Sequence, residues 1–154
     1  MRKAFLTSTQ QIGKLGELMV QYKLLTFAVD SAHLTTDSGI DLVAYGKPSV
    51  GAKTIQVKTN LRPKPGGGKG KQGLDWWVPV DSPADLVALA DVSTSRVWLF
   101  TMAELAAHAQ QESGGRLHLY MYTDESVRTR SAKLVKASEF ESFLLEQRIS
   151  EFFL

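Results

Sequence analysis

The chain has 154 residues, 44% of them hydrophobic and 22% charged, which is the makeup of one globular domain spanning residues 1–154 and able to bury a core. It contains no cysteine, which excludes disulfides and thiolate metal sites and fits a cytoplasmic, reducing setting. The net charge of +2 is unevenly spread: residues 42–74 hold seven basic side chains (Lys47, Lys53, Lys58, Arg62, Lys64, Lys69 and Lys71) and no acid, so the remainder is net acidic.

A basic segment on an acidic body gathers a polyanion at one place, although a lysine-rich solvated loop gives the same charge map. No apolar run approaches the roughly 20 residues of a membrane span, so no membrane partner is expected. The apolar stretch after Met1-Arg2-Lys3 is too short for a secretory signal.

Ser8 to Phe27 reads as a first helix, with Ser8 as its cap and Gln11 reaching back as in a capping box. At 100° per residue, Ile12, Leu15, Leu18, Met19, Tyr22 and Leu25 form one broad apolar face. Gly13, Gly16, Val20 and Leu24 form a second, and Glu17 lies on it. A helix apolar around most of its circumference packs on two sides, against its own domain or another subunit, so a homodimer fits.

Three strands follow, over Phe27 to Leu34, Gly39 to Tyr45 and Lys53 to Asn60, the last two joined by a Gly- and Pro-containing hairpin connection at 46–52. Residues 61–75 read as a mobile basic loop, because their glycines cost conformational entropy in a regular element and their prolines remove donors. Trp76 to Val80 reads as short and extended. Asp85 to Val92 and Arg96 to Thr101 read as a strand pair. Met102 to Gln111 reads as a helix ended by Gly114-Gly115, and Leu117 to Tyr122 as a strand. Ser138 to Phe153 reads as a C-terminal helix in which Ser138 and Glu141 suit a second capping box. The order predicts an α/β or α+β domain with a central mixed sheet flanked by helices.

Side chains alternate along a strand, so Gln56 and Lys58 share one face of the third strand while Ile55, Val57 and Thr59 share the other. The hairpin can set Asp41, from the second strand, beside them. An acid, an amide and an ammonium then meet in an otherwise apolar sheet.

Gly13-Lys14-Leu15-Gly16-Glu17 on a helix, Asp41 in a hydrophobic strand and Gln56-Val57-Lys58 in the next resemble the PD-(D/E)XK nuclease superfamily, most closely its restriction-endonuclease-like and archaeal Holliday-junction-resolvase-like branches. The resemblance covers about residues 10–60. It implies a restriction-endonuclease-like fold with an α-β-β-β-α-β core and a Mg²⁺-dependent endonuclease, with Mn²⁺ as a substitute. Phosphodiester hydrolysis needs a metal to activate water and stabilise a charged transition state, and Mg²⁺ prefers oxygen ligands. By the resemblance, Asp41 is the anionic ligand, Gln56 a neutral one, and Glu17 a ligand through water or to a second ion. Lys58 orients the attacking water, and Gly13 and Gly16 let the helix approach the sheet. Ile40 stands where the family has proline, and Gln56 in place of Glu removes one negative charge beside the cation.

Lys53, Arg62, Lys64, Lys69 and Lys71 are the expected phosphate contacts to DNA; backbone contacts of this kind suit RNA as well. Two rivals stand beside the enzyme: a nuclease fold that binds nucleic acid without cutting it, and a protein-interaction module using the first helix and the apolar tail Ile149 to Leu154. Of Trp76 and Trp77, alternation lets one face outward, where it could stack on bases. His33, His108 and His118 show no metal spacing, and Asp75, Asp85 and Asp91 read as turn or strand-end residues.

Overall fold

A computed structural model describes residues 8–36, 38–68, 70–129 and 131–154. Helix α1 (Thr9–Thr26) begins where the Ser8 hydroxyl accepts the Gln11 backbone N–H at 3.2 Å, half of the expected box. Strands β1 (Asp30–His33), β2 (Leu42–Tyr45) and β3 (Lys53–Asn60) follow, each near its expected place. Ala28, with φ +60°, turns the chain out of α1, so the first strand starts later than Phe27.

The stretch 61–75, expected to lack regular structure, corrects the sequence reading. It folds as a tight hairpin of β4 (Lys64–Pro65), a 3₁₀ turn at Gly66–Gly68 and β5 (Gln72–Pro79). Pro65 is tolerated because β4 is an edge strand, and Gly68 supplies the turn with φ +81°. The short extended piece expected at Trp76 is therefore the second half of an eight-residue strand, and Asp75 lies within it rather than at a turn.

Strands β6 (Leu86–Asp91) and β7 (Arg96–Thr101) form the expected antiparallel pair. Asp91 closes their turn: its carboxylate accepts from the Ser93 backbone N–H at 3.1 Å and from the Ser93 hydroxyl at 2.7 Å. Asp85, just ahead of β6, accepts from the Thr54 backbone at 2.9 Å. Helix α2 (Met102–His108) is shorter than expected. Gln111 belongs to β8 (Gln111–Ser113), and Gly114-Gly115, read as a helix stop, turn the hairpin into β9 (Arg116–Tyr122) with φ +59° and +75°. The C-terminal segment is a 3₁₀ stretch (Ala137–Phe143) and then α3 (Leu145–Phe153), not one helix. Glu139, not Glu141, reaches back, accepting the Lys136 N–H at 3.0 Å.

The strands make two sheets. One is five-stranded and mixed, in the order β1-β2-β3-β6-β7, with β3 and β6 parallel and the other neighbours antiparallel. The other is four-stranded and antiparallel, in the order β4-β5-β9-β8. Among the described residues, the crossover from β3 to β6 holds no α-helix; strands of the second sheet fill it.

The five-stranded sheet is covered on both faces. Leu86, Ala88, Ala90, Val97 and Leu99 pack with Ile55, Val57, α1 and α3 on one side. Val87, Leu89, Trp98 and Phe100 pack against the second sheet and α2 on the other. This explains why all six residues of β6 are buried and apolar without alternation, apart from Asp91.

Only the narrower face of α1, with Gly16, Val20 and Leu24, is buried. Leu18, Tyr22 and Leu25 on the wider face are exposed, so this helix packs on one side within the chain rather than two. No helix among the described residues is long and apolar enough to cross a membrane.

Candidate active site

The site forms where β2 joins β3. Asp41 immediately precedes β2, and its backbone N–H donates to the Ile55 carbonyl at 2.9 Å. Its carboxylate then accepts the Val57 N–H at 2.7 Å, standing in for a backbone acceptor at the end of the ladder. The two bonds bracket Gln56 on β3. Asp41 is partly buried, which fits an acid anchored by a main-chain donor.

Gln56 and Lys58 pair in register with Val87 and Leu89, so they share the face of β3 turned toward the second sheet. Ile55 and Val57 pack into the α1 core on the other face. The alternation read from the sequence holds here. Gln56 is only 6% exposed, and its side-chain oxygen accepts the Ser82 hydroxyl at 2.7 Å. Ser82 comes from the turn before β6, 26 residues away in sequence; no local pattern announces it.

α1 closes the site from the other side. A Cβ built at Gly16 would lie 2.8 Å from both Thr59 Cβ and Thr59 Cγ2, so only glycine allows this approach of helix to β3. Gly13 has nothing within 4 Å of its Cβ position, so the close approach expected of it does not occur. Glu17, one residue on, is 18% exposed in its side chain. Its carboxylate lies 3.4 Å from His33 Nδ1 and 3.8 Å from Lys14 Nζ.

Glu17, Asp41, Gln56, Lys58 and Lys64 line one open groove of about 1260 Å³, floored by the C-terminal half of β3 and walled by the first half of α1. Its size and openness suit a polymer more than an enclosed small molecule. Of the other expected phosphate contacts, Lys53, Arg62 and Lys71 do not line it; Arg62 and Lys71 are exposed, and Lys71 pairs with Asp124 at 3.8 Å. Lys69 lies outside the described residues.

Among the described residues, no three His, Asp or Glu side chains group closely enough to hold a metal by themselves. The oxygen donors on hand are the Asp41 carboxylate and the second lone pair of the Gln56 amide oxygen. That set fits Mg²⁺, which is held by one or two carboxylates, keeps several waters and takes substrate phosphate oxygens as further ligands.

A second, smaller groove of about 380 Å³ adjoins the first, and Lys64 lines both. It holds Asp75, His118, Tyr120 and Tyr122. His118 is fixed by Asp75 Oδ2 at 2.9 Å and Gln111 Oε1 at 3.2 Å. Burial, then the neighbouring Tyr122, pushes the Tyr120 hydroxyl above its ordinary pKa.

The fold is an α+β arrangement with a mixed sheet between helical and strand layers. It is similar to the solved structure of a bacterial homing endonuclease, I-Ssp6803I, with a TM-score of 0.58 over 94% of this chain and 92% of that one. Sequence identity is 14%, so the likeness speaks for the fold alone. No protein-family model matches the chain, and no curated protein matches it in sequence.

Proposed function

We propose that this chain is a metal-dependent endonuclease of PD-(D/E)XK type that hydrolyses DNA phosphodiester bonds. The observation that supports the reading is that Glu17, Asp41, Gln56 and Lys58, from separate parts of the chain, all line one open groove of an α+β fold similar to that of a homing endonuclease. In this reading Asp41 and Gln56 hold Mg²⁺ or Mn²⁺, with Glu17 acting through water. A bound Mg²⁺ supplies acidification of a water and neutralisation of charge growing on the phosphoryl oxygens.

Lys58 stands on the same strand face as Gln56, where its ammonium can orient the incoming water and offset negative charge in the transition state. The water oxygen bonds to phosphorus, one ester P–O bond breaks, and the departing alcohol oxygen takes up a proton. Lys64, at the groove's edge, holds the neighbouring phosphate. A second copy of the chain over Leu18, Tyr22 and Leu25 would complete the packing of α1.

Branched, linear and single-stranded DNA incubated with Mg²⁺ or Mn²⁺ test this. Cleavage that disappears in Asp41→Ala and Lys58→Ala, with binding retained, supports the enzyme. A second reading, a nucleic-acid-binding subunit without cleavage, draws on the absence of a three-ligand acidic cluster among the described residues and on the engagement of Gln56 by Ser82. Salt-sensitive binding with no cleavage under either metal selects it, and no binding at low salt rejects both.

A further inference from the structure

We infer that the outer face of the four-stranded sheet is a stacking platform for unpaired nucleotides, taken from the same DNA strand that enters the Asp41–Lys58 groove; this rests on the nucleic-acid reading above and deepens its substrate class. In β5 and β9, Leu74, Trp76, Val78, Leu117, Leu119 and Met121 face the core. The alternate positions carry Trp77, His118, Tyr120 and Tyr122. The solvent face of an antiparallel sheet is ordinarily polar, yet this one carries a row of rings.

The row is pre-ordered. Trp77 is 36% exposed and lies parallel to the His118 ring, with an interplanar angle of 1° and a centroid separation of 4.0 Å. His118 is itself held by Asp75 and Gln111, so the indole is held by a fixed neighbour rather than left to swing. Tyr120 lies 5.7 Å from His118, and Tyr122 lies 5.5 Å from Tyr120, extending the row toward the β4–β5 hairpin. An aromatic side chain already fixed in orientation loses little entropy on binding a partner.

Charge and continuity say what lies on it. Lys64 and Lys71 flank the aromatic groove, and Lys64 also lines the groove of Asp41 and Lys58. The Asn60 side chain, at the end of β3, donates to the Asp75 carbonyl at 2.6 Å and ties the two surfaces together. The one acid among the rings, Asp75, has its carboxylate engaged by His118. A strand leaving Lys58 past Lys64 therefore reaches the rings with the Lys64 ammonium beside its backbone, and Lys71, paired with Asp124, at the far side. Bases in a duplex hide their π-faces in the stack, so rings of this kind engage bases only where the strand is unpaired.

The test uses the full chain without divalent metal. Trp76 and Trp98 are 2% and 0% exposed, so quenching of tryptophan fluorescence by an oligothymidylate reports on Trp77. The expected result is quenching by oligothymidylate and by a splayed fork, and little by a blunt duplex. Read by the anisotropy of a dye-labelled oligothymidylate, which does not depend on the indole, Trp77→Ala should weaken binding roughly tenfold, the usual scale for losing one stacked base, while binding of a labelled blunt duplex changes little. Trp77→Phe should keep most of the affinity but lose the signal, which separates stacking from misfolding. Equal affinity of Trp77→Ala and the parent for oligothymidylate overturns the proposal, as does an equal loss for duplex and single strand. A Trp77 signal that changes with protein concentration in the absence of DNA, marking self-association on this face, overturns it too. Metal-dependent cleavage that persists without quenching defeats the platform and leaves the nuclease standing; quenching without cleavage under any metal does the reverse.

Discussion

Gly16→Ala isolates the contact that brings α1 to the site. The added methyl would lie 2.8 Å from Thr59 Cβ and Cγ2, and closer still to Oγ1. Carbon atoms rest at about 3.5–4.0 Å, so helix and strand must part by roughly 0.7 Å or more. Rotating the Thr59 side chain does not relieve this, because its Cβ is among the clashing atoms. Overpacking of this kind costs about 1–3 kcal/mol, and a clash borne by the backbone belongs near the upper figure. The gain in helix propensity from Gly to Ala returns about 1 kcal/mol.

The expected net loss is therefore about 2 kcal/mol, read as a lower urea midpoint with unchanged m-value by circular dichroism. Gly13→Ala is the internal control: with nothing within 4 Å of its Cβ position, it should stabilise by roughly 0.5–1 kcal/mol. Thr59→Ala in the Gly16→Ala background removes the two outer atoms and should recover part of the loss, visible as a coupling energy in the double-mutant cycle. If Gly16→Ala proves as stable as Gly13→Ala, the helix does not seat on β3 through this glycine.

Three further outcomes follow from particular contacts. Arg148 is 7% exposed, bonds to Glu104, Glu151 and the Leu99 carbonyl, and lies over the rings of Phe143 and Phe152; Arg148→Ala should cost about 2 kcal/mol in denaturant melts, since it leaves the buried Leu99 carbonyl without this donor and removes the packing over both rings. Burial alone would raise the Glu104 pKa, but hydrogen bonds and charge from Arg148, with help from Thr101, outweigh it and hold the group low. A depressed folded pKa gives stability that is present above the unfolded value, roughly pH 4.3, and lost as pH falls through the folded one. The melting temperature should thus drop on acidification below that point, and Glu104→Gln should flatten the drop. Gln56→Glu restores a second carboxylate beside Asp41 and should lower the Mg²⁺ concentration for half-maximal cleavage, on the order of tenfold; an unchanged metal requirement removes Gln56 from the ligand set.

Much of the five-stranded sheet was legible because its signals are local. Ser8 before the α1 periodicity, the alternation around Gln56 and Lys58, and the apolar runs of β6 and β7 each decide their own conformation. The approach of Gly16 was legible as well, since glycine on a buried helix face has few other uses. The second sheet was not. Gly66–Gly68 and Pro65 are what a disordered basic loop would contain, and their place in a hairpin depends on β5 finding β9, whose partner residues lie roughly 40–50 positions away. Gly114-Gly115 and Ser138 misled for a related reason: glycine closes both helices and hairpins, and which it does here is set by whether Gln111 meets His118. The Ser82 contact to Gln56 and the Trp77–His118 stack are likewise tertiary, with no mark in the neighbouring sequence.

The crossover between β3 and β6 also governs the order of assembly. Strand β5, of the second sheet, is made before β6 and β7 complete the first, and its main partner β9 is made only after β7 and α2. A chain emerging residue by residue thus holds Leu74, Trp76 and Val78 without their cross-strand partners until Leu117 to Met121 are available, which favours slow folding from long loops and exposes it to mispairing meanwhile. A truncation ending after β7 would leave that edge permanently open. The aromatic face on β5 and β9 is thus completed only after every strand beside the groove floor on β3 is present in the chain.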